Sequence, residues 1–348
     1  MEKKKVLLAY RGKILTAFDF LYDMAIVEFR QGPLKFTPEV LEEINPHIIA
    51  GLGFEKVAGN YALTGELMDV CEKLEFIQKV AMGYDDIDVE AATKRGIIVS
   101  NVGGVGISSQ SVAELAWAHI FSLARRIPQV DAGVRSGELL RPERFGASSD
   151  EDVIYYRGGP VLYGKTLGII GLGKIGKRSA LIGKLGFNMV VLAYDPYVEP
   201  ADADMIGVKL VSLETLLREA DIIVIHAALT GDNRAMIGER EIELMKKTAM
   251  IVNVARGALI DMPALAKALE EGRIYGAGID VWPTEPPHPD EDWVKTLIRS
   301  RRTSLSPHVG SLYEALVERQ RAGFENVARY LRGEKPFWIV NPSVLQGK

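Results

Sequence analysis

Cysteine is nearly absent from this chain: Cys71 stands alone among 348 residues, so no internal disulfide can staple the fold. A long uncharged apolar run is missing too. The closest, Ile222 to Leu229, is interrupted by His226 and falls far short of the ~20 residues a bilayer-spanning helix needs. Charge of one sign is also lacking: 42 Lys and Arg face 46 Asp and Glu, a formal net charge of −4. The only basic runs, Lys3 to Lys5 and Arg299 to Arg302, are short and read as solvated surface rather than a nucleic-acid footprint. The opening MEKKKVLLAY has too short an apolar run for a secretory signal. Together these deficits predict a cytoplasmic chain that contacts neither membrane nor nucleic acid, and no metal site is read from it. What is present is ordinary globular composition, 47% apolar and 25% charged, over a length that favours two hydrophobic cores.

Apolar runs alternate with helical patterns from the start. Strands are expected at Val6 to Ala9, Ile26 to Phe29, Ile48 to Leu52, Phe76 to Ala81 and Ile97 to Asn101. A helix from Val89 to Arg95 should stop at Gly96, which tolerates a left-handed cap. A long apolar helix follows from Ser109 to Arg126, and the polar, Gly-rich segment from Arg135 to Gly164 then precedes a second series of strands. These are Leu167 to Gly171, Val190 to Asp195, Asp221 to His226, Ala249 to Val254, Ala277 to Val281 and Ser304 to Pro307. One connecting helix carries its own punctuation: Asp261 as cap, Pro263 in the first turn, Gly272 at the end. The pattern predicts an α/β fold in two domains.

Gly171-Leu-Gly173-Lys174-Ile175-Gly176 directly follows a strand and opens a helix. In that context the glycines permit a tight turn, close approach of a pyrophosphate and close helix–strand packing, while the helix N-terminus faces the phosphates. Out of context the same run is only a glycine-rich turn. Asp195 ends the next strand, where an acid receives the ribose hydroxyls of a dinucleotide. A carboxylate there would repel a 2′-phosphate, so NAD is favoured over NADP. Asp195 can stabilise the turn before Pro196 at the same time.

Three further strand ends carry polar residues. Asn253-Val-Ala255-Arg256-Gly257 offers a planar guanidinium that can grip a carboxylate with two parallel bonds. Asp280-Val-Trp-Pro-Thr-Glu285-Pro offers two acids, and Ser306-Pro-His308-Val-Gly310 an imidazole. Singly, each has a bland reading as a surface ion pair, a solvated acid or a hydrogen-bonded structural histidine. Together they compose an anion grip and an acid–base pair.

In order and spacing these runs resemble the D-isomer-specific 2-hydroxyacid dehydrogenase family, from the first strand to the tail at Val340-Asn341. GLGKIG, NVARGALID, GIDVWPTEP, SPHVG and Ser111-Val-Ala-Glu114 carry the resemblance. It implies a Rossmann-type doubly wound parallel sheet with a smaller flavodoxin-like α/β domain. The smaller, substrate domain would comprise residues 1–108 and 309–348, and the NAD-binding domain 109–308, with a cleft between them that closes around cofactor and substrate. It implies that Arg256 holds the substrate carboxylate, His308 exchanges the proton and Glu285 supports His308. Asp280 would contact the nicotinamide end of the cofactor, and Ala255 and His308 would join Gly171, Gly173, Lys174, Ile175, Gly176 and Asp195 around NAD. Met82 and Gly83, in a turn after a strand, would bind the acid through their amides. The chain departs from the family at Ala228, where proline is common, and at Ser108, where asparagine is frequent. Glutamine in the formate-oxidising branch stands where this chain has Glu285, and lysine in the phosphite-oxidising branch where it has Met82. Neither branch is indicated.

The expected activity is hydride transfer between NAD and C2 of a small 2-oxo or 2-hydroxy acid, and the resemblance implies a homodimer joined through the nucleotide domain along the helix from Ser109 to Arg126. An alternative is an NAD-sensing interaction protein, since the C-terminal-binding corepressors resemble the same family.

Overall fold

The computed structural model describes residues 3–10, 13–32, 35–52, 61–141 and 159–346. Of the polar segment expected between the two strand series, residues 142–158 lie outside the described ones. The chain divides into two compact units, Met1–Ser108 with Ser311–Lys348, and Ser109–Gly310. The return to the first unit comes at Ser311 rather than at residue 309, because the amides of Val309 and Gly310 are still bonded to the carboxylate of Asp280.

The smaller unit is a five-stranded parallel sheet in the order β2-β1-β3-β4-β5, with β1 Lys5–Tyr10, β2 Ile26–Gln31, β3 Ile48–Leu52, β4 Phe76–Lys79 and β5 Ile98–Ser100. This is the flavodoxin-like order. Successive side chains alternate between faces. Leu7 and Ala9 join Ile49, Ile77 and Val99 in one core, while Val6, Leu8 and Tyr10 join Ile48, Phe76 and Phe324 in another. Both faces are therefore apolar, and the strands read as continuous hydrophobic runs. The tail closes the β5 edge: the Asn341 side chain accepts from the Val99 amide at 2.8 Å and donates to the Ile97 carbonyl at 2.9 Å.

The larger unit is a seven-stranded parallel sheet in the order β12-β11-β10-β9-β6-β7-β8. Its strands are β6 Thr166–Ile170, β7 Val190–Tyr194, β8 Lys209–Leu210, β9 Ile222–Ile225, β10 Met250–Asn253, β11 Gly276–Ile279 and β12 Thr303–Leu305. Counted from β6, this is the Rossmann order with one further strand. The two-residue β8 was not expected from the sequence, being too short to show a period. Helix Met262–Glu270 begins as its punctuation predicts, with the Asp261 carboxylate accepting from the Ala264 amide at 3.1 Å. The long helix starts earlier than expected, at Gly106, and the one after the glycine motif runs as an α-helix to Leu181 and continues as a π-helical turn, Ile182–Gly186. Among the described residues no helix is long and apolar enough to cross a membrane.

Candidate active site

Open parallel sheets present ligand sites at the carboxyl ends of their strands, beside the point where strand order reverses. Here the reversal lies between β6 and β9. The glycine motif leaves β6 there, and β7 delivers Asp195 alongside it. Gly171 has φ of +92°, and a Cβ on it would come within 2.5 Å of the Ala227 amide nitrogen. Only glycine fits both constraints. Gly176 sits so close beneath the turn that a Cβ would lie 2.1 Å from the Gly171 carbonyl oxygen. Gly173, the residue preceding helix Lys174–Leu181, differs: a Cβ there would meet nothing within 4 Å. Open space thus lies over a helix N-terminus, where a pyrophosphate is favoured by unpaired amides and the helix dipole. Lys174 is exposed and Ile175 half-buried in the first turn of that helix.

The Asp195 carboxylate accepts from the Leu172 amide at 2.8 Å and from the Tyr197 amide at 2.9 Å, one on each oxygen. The acid is therefore locked to the glycine turn, and each oxygen keeps a lone pair for a ribose hydroxyl. The cradle fits a dinucleotide without a 2′-phosphate.

At the other side of the switch, β10, β11 and β12 are neighbours, and each ends in a polar turn. Buried Asn253 organises the first: its side chain accepts from the Ala255 amide at 3.0 Å and donates to the Arg256 carbonyl at 2.8 Å. Ala255 and Arg256 are half-buried, and the guanidinium donates to the Ala255 carbonyl at 2.7 Å. In the second turn the Glu285 carboxylate accepts from the Trp282 amide at 3.1 Å, which folds the side chain back over its own strand end. Its other oxygen is 2.6 Å from His308 Nδ1. Sequence reasoning paired these two residues across 23 positions, and the structure joins them directly.

The electrostatics follow from that contact. The Glu285 hydrogen bond raises the His308 pKa above the ordinary histidine value; burial opposes it, the charges of Glu285 and Asp280 assist, and Arg256 pulls slightly the other way. Burial pushes the Glu285 carboxyl up, yet the His308 bond and charge, the Trp282 amide and Arg256 outweigh it and leave the pKa below the ordinary value. Arg256, Glu285 and His308 therefore feel one another in a single cluster. The His308 backbone adopts φ of +58°, in the left-handed region that costs a side-chain-bearing residue energy.

Asp280 is only 1% exposed, and its carboxylate serves the loop: Oδ1 accepts from Ser306 Oγ at 2.6 Å and the Val309 amide at 2.8 Å, Oδ2 from the Gly310 amide at 3.2 Å. Its carbonyl accepts the His308 amide at 2.7 Å. The structure thus gives Asp280 an organising task beside the cofactor contact that family resemblance implies. Ser306 and His119, which reaches it from helix Gly106–Arg125, escaped sequence reasoning. A serine two positions before His308 was the only local signal.

Met82 and Gly83 belong to the smaller unit and are half-buried in the turn after β4. The turn is framed by Asn101, whose side chain donates to the Met82 carbonyl at 2.8 Å, and by a largely buried Lys79–Asp86 ion pair. Among the described residues, the amides of Met82 and Gly83 take no protein hydrogen bond. Of the two departures, Ser108 is fully buried with an unpaired hydroxyl, and Ala228 is exposed, its carbonyl taking the Asn233 side chain at 2.8 Å.

Comparison with known proteins agrees with this arrangement. Residues 117–310 match the family described as D-isomer specific 2-hydroxyacid dehydrogenase, NAD binding domain. A glyoxylate reductase of Thermococcus litoralis is 41% identical over 281 residues, which span 80% of this chain and 81% of that one. Among solved structures, a glyoxylate reductase from Paecilomyes thermophila superposes with a TM-score of 0.81 at 27% identity, covering 99% of this chain and 100% of the other. A D-lactate dehydrogenase from Aquifex aeolicus, complexed with NAD and lactic acid, gives 0.77 at 25% identity and 98% coverage of each chain. A family match over more than half the chain, together with a relative 41% identical over most of both chains, places this protein among the D-isomer-specific 2-hydroxyacid dehydrogenases.

Proposed function

We propose that Arg256, Glu285 and His308 carry the substrate chemistry of this NAD-dependent 2-hydroxyacid dehydrogenase, with His308 as the proton donor in reduction and acceptor in oxidation. The observation that carries the reading is the 2.6 Å contact between His308 Nδ1 and Glu285. The carboxylate takes the Nδ1 hydrogen in either protonation state, so Nε2 is left as the atom whose proton comes and goes. Glu285 also favours the imidazolium, which keeps a donor available near neutrality. NADH, when bound, would supply the hydride for C2 of the oxo acid. Arg256 grips the substrate carboxylate and polarises the adjacent carbonyl, and His308 delivers a proton to the developing alkoxide. The Met82 and Gly83 amides of the smaller unit are proposed as hydrogen-bond donors to a carboxylate in their own right. Gly171, Gly173, Gly176 and the first turn at Lys174 and Ile175 hold the pyrophosphate, and Asp195 the ribose.

The substrate is a small 2-oxo or 2-hydroxy acid, and glyoxylate, named for the relatives, is the first to assay. Those relatives are named as reductases and dehydrogenases, which favours catalysis over partner binding. His308→Ala should lower kcat by about 10²-fold or more, the lower end of what a general acid contributes. NADH affinity, followed by fluorescence titration, should persist. Unchanged turnover would remove His308 from the chemistry.

The dimer belongs to the same proposal. The helix Gly106–Arg125 buries Val112, Ala116, Trp117 and Ile120. The next helix, Ile127–Arg135, buries no residue and exposes Ile127 and Val134. Leu140, Val161, Tyr163 and Leu185 of the same unit are exposed as well. The exposed side chains of helix Ile127–Arg135, which buries none of its own residues, are proposed as part of the association face. Light scattering should report twice the chain mass; a monomer would overturn the assignment.

A further inference from the structure

The loop that bears His308 is tied to a histidine almost 190 positions away. His119 lies in helix Gly106–Arg125, is 3% exposed, and packs on β11 so closely that a Cβ at Gly278 would come within 2.8 Å of its own. Its Nδ1 is 2.8 Å from Ser304 Oγ and its Nε2 3.0 Å from Ser306 Oγ. Ser306 Oγ in turn is 2.6 Å from Asp280 Oδ1, the atom that also accepts the Val309 amide.

The hydrogens in this chain can be assigned by elimination. A carboxylate only accepts, so the Ser306 hydroxyl spends its single hydrogen on Asp280. Its oxygen must then accept from His119, which requires a hydrogen on Nε2. A neutral ring of that tautomer has a bare Nδ1, which the Ser304 hydroxyl satisfies. Each donor is used once and no second proton is needed. Burial pushes the His119 pKa down, with the Asp280 charge and the Ser304 backbone opposing in part, so the neutral ring is the favoured one.

We infer that His119, as a neutral imidazole protonated on Nε2, is a positioning residue that aims Ser306 at Asp280 and thereby fixes the loop presenting His308. The inference rests on the role proposed above for His308. Without the Nε2 hydrogen, Ser306 is free to turn toward its vacated neighbour, and Asp280 loses one of the donors that hold the loop. His308 sits in that loop at a left-handed backbone angle that only a well-held chain sustains. A looser loop would lengthen the His308–Glu285 bond. The charged groups facing His308 are Glu285, Asp280 and Arg256, and the one facing His119 is Asp280. Weakening the Glu285 contact therefore lets His308 titrate at a lower pH.

Ring-nitrogen NMR of the full-length protein without cofactor tests this directly. Wild-type His119 should show the Nε2-protonated tautomer around neutral pH. His119→Gln, whose amide reaches the Nε2 position and can donate, should leave the His308 titration in place. His119→Asn, which reaches only the Nδ1 position, and Ser306→Ala should each move it toward the ordinary value of ~6.5 and lower kcat severalfold with KM held. An Nδ1-protonated ring in wild type, or identical His308 titration in all three variants, would overturn the proposal. The two ideas can fail separately. Full activity of His308→Ala would defeat the catalytic reading, while the tautomer and the titrations would still judge the network.

Discussion

The two ends of the larger sheet solve recognition by opposite means. On the β6 and β7 side the site is made of backbone and missing side chains: a left-handed Gly171, a crowded Gly176, an open Gly173 and one carboxylate locked to the turn. On the β10 to β12 side it is made of side chains whose charges tune one another. A phosphate needs amides and room, so the first end demands local geometry that a short motif can encode. Proton transfer needs groups with matched pKa values, so the second end draws residues from three strands and a helix.

That contrast can be broken at either end. Among the variants that test this contrast, the largest effect is expected at the side-chain end. Arg256→Lys keeps the charge but loses the planar fork, and kcat/KM for the oxo acid should fall on the order of 10- to 100-fold, equivalent to about 1.5–3 kcal/mol for a charge-assisted bond. NADH affinity should be little changed; equal loss of both would mean that Arg256 supports the cofactor instead. At the backbone end, Gly176→Ala forces an atom to within 2.1 Å of the Gly171 carbonyl and should cost about 1–3 kcal/mol of stability. Gly173→Ala adds its methyl to open space, so thermal unfolding should hardly move while NADH affinity drops. If both variants unfolded alike, the distinction between packing and ligand space would fail.

The third effect is smaller and concerns pH. With His308 as the proposed proton donor, reductive turnover should decline as pH rises through its raised pKa. Glu285→Gln removes the largest cause of that rise and should shift the alkaline limb of the rate profile to lower pH, with the acidic limb of oxidation following. The same pairing makes a stability statement. A raised folded-state pKa at His308 contributes below the unfolded value and is lost as pH rises through the folded one, whereas the depressed Glu285 contributes above its unfolded value and is lost in acid. An unshifted profile in the glutamine variant would detach Glu285 from the proton donor.

How much could be read from the sequence follows the same division. GLGKIG and Asp195 were legible because their tasks are local and their spacing is set by one strand–turn–helix unit. The strands other than β8 were legible to within a residue or two, since the central strands of both sheets are buried on both faces and read as apolar runs. Arg256, Glu285 and His308 were legible as residue types at strand ends, aided by family resemblance. The links that hold them were not. His119 sits in an apolar helical run where one histidine gives no sign of its partners, and Ser304 and Ser306 look like turn residues. Which helix leaves its apolar face bare was likewise hidden, because periodicity shows that Ile127 and Val134 share a face but not that the core has no place for them.

The left-handed backbone at His308 has an evolutionary corollary. Glycine would relax that turn and asparagine would tolerate it, so drift under selection for folding alone runs away from histidine. On the proposed role, the imidazole occupies that turn at a thermodynamic cost that folding alone does not reward, so His308→Gly should raise stability while removing the proton donor.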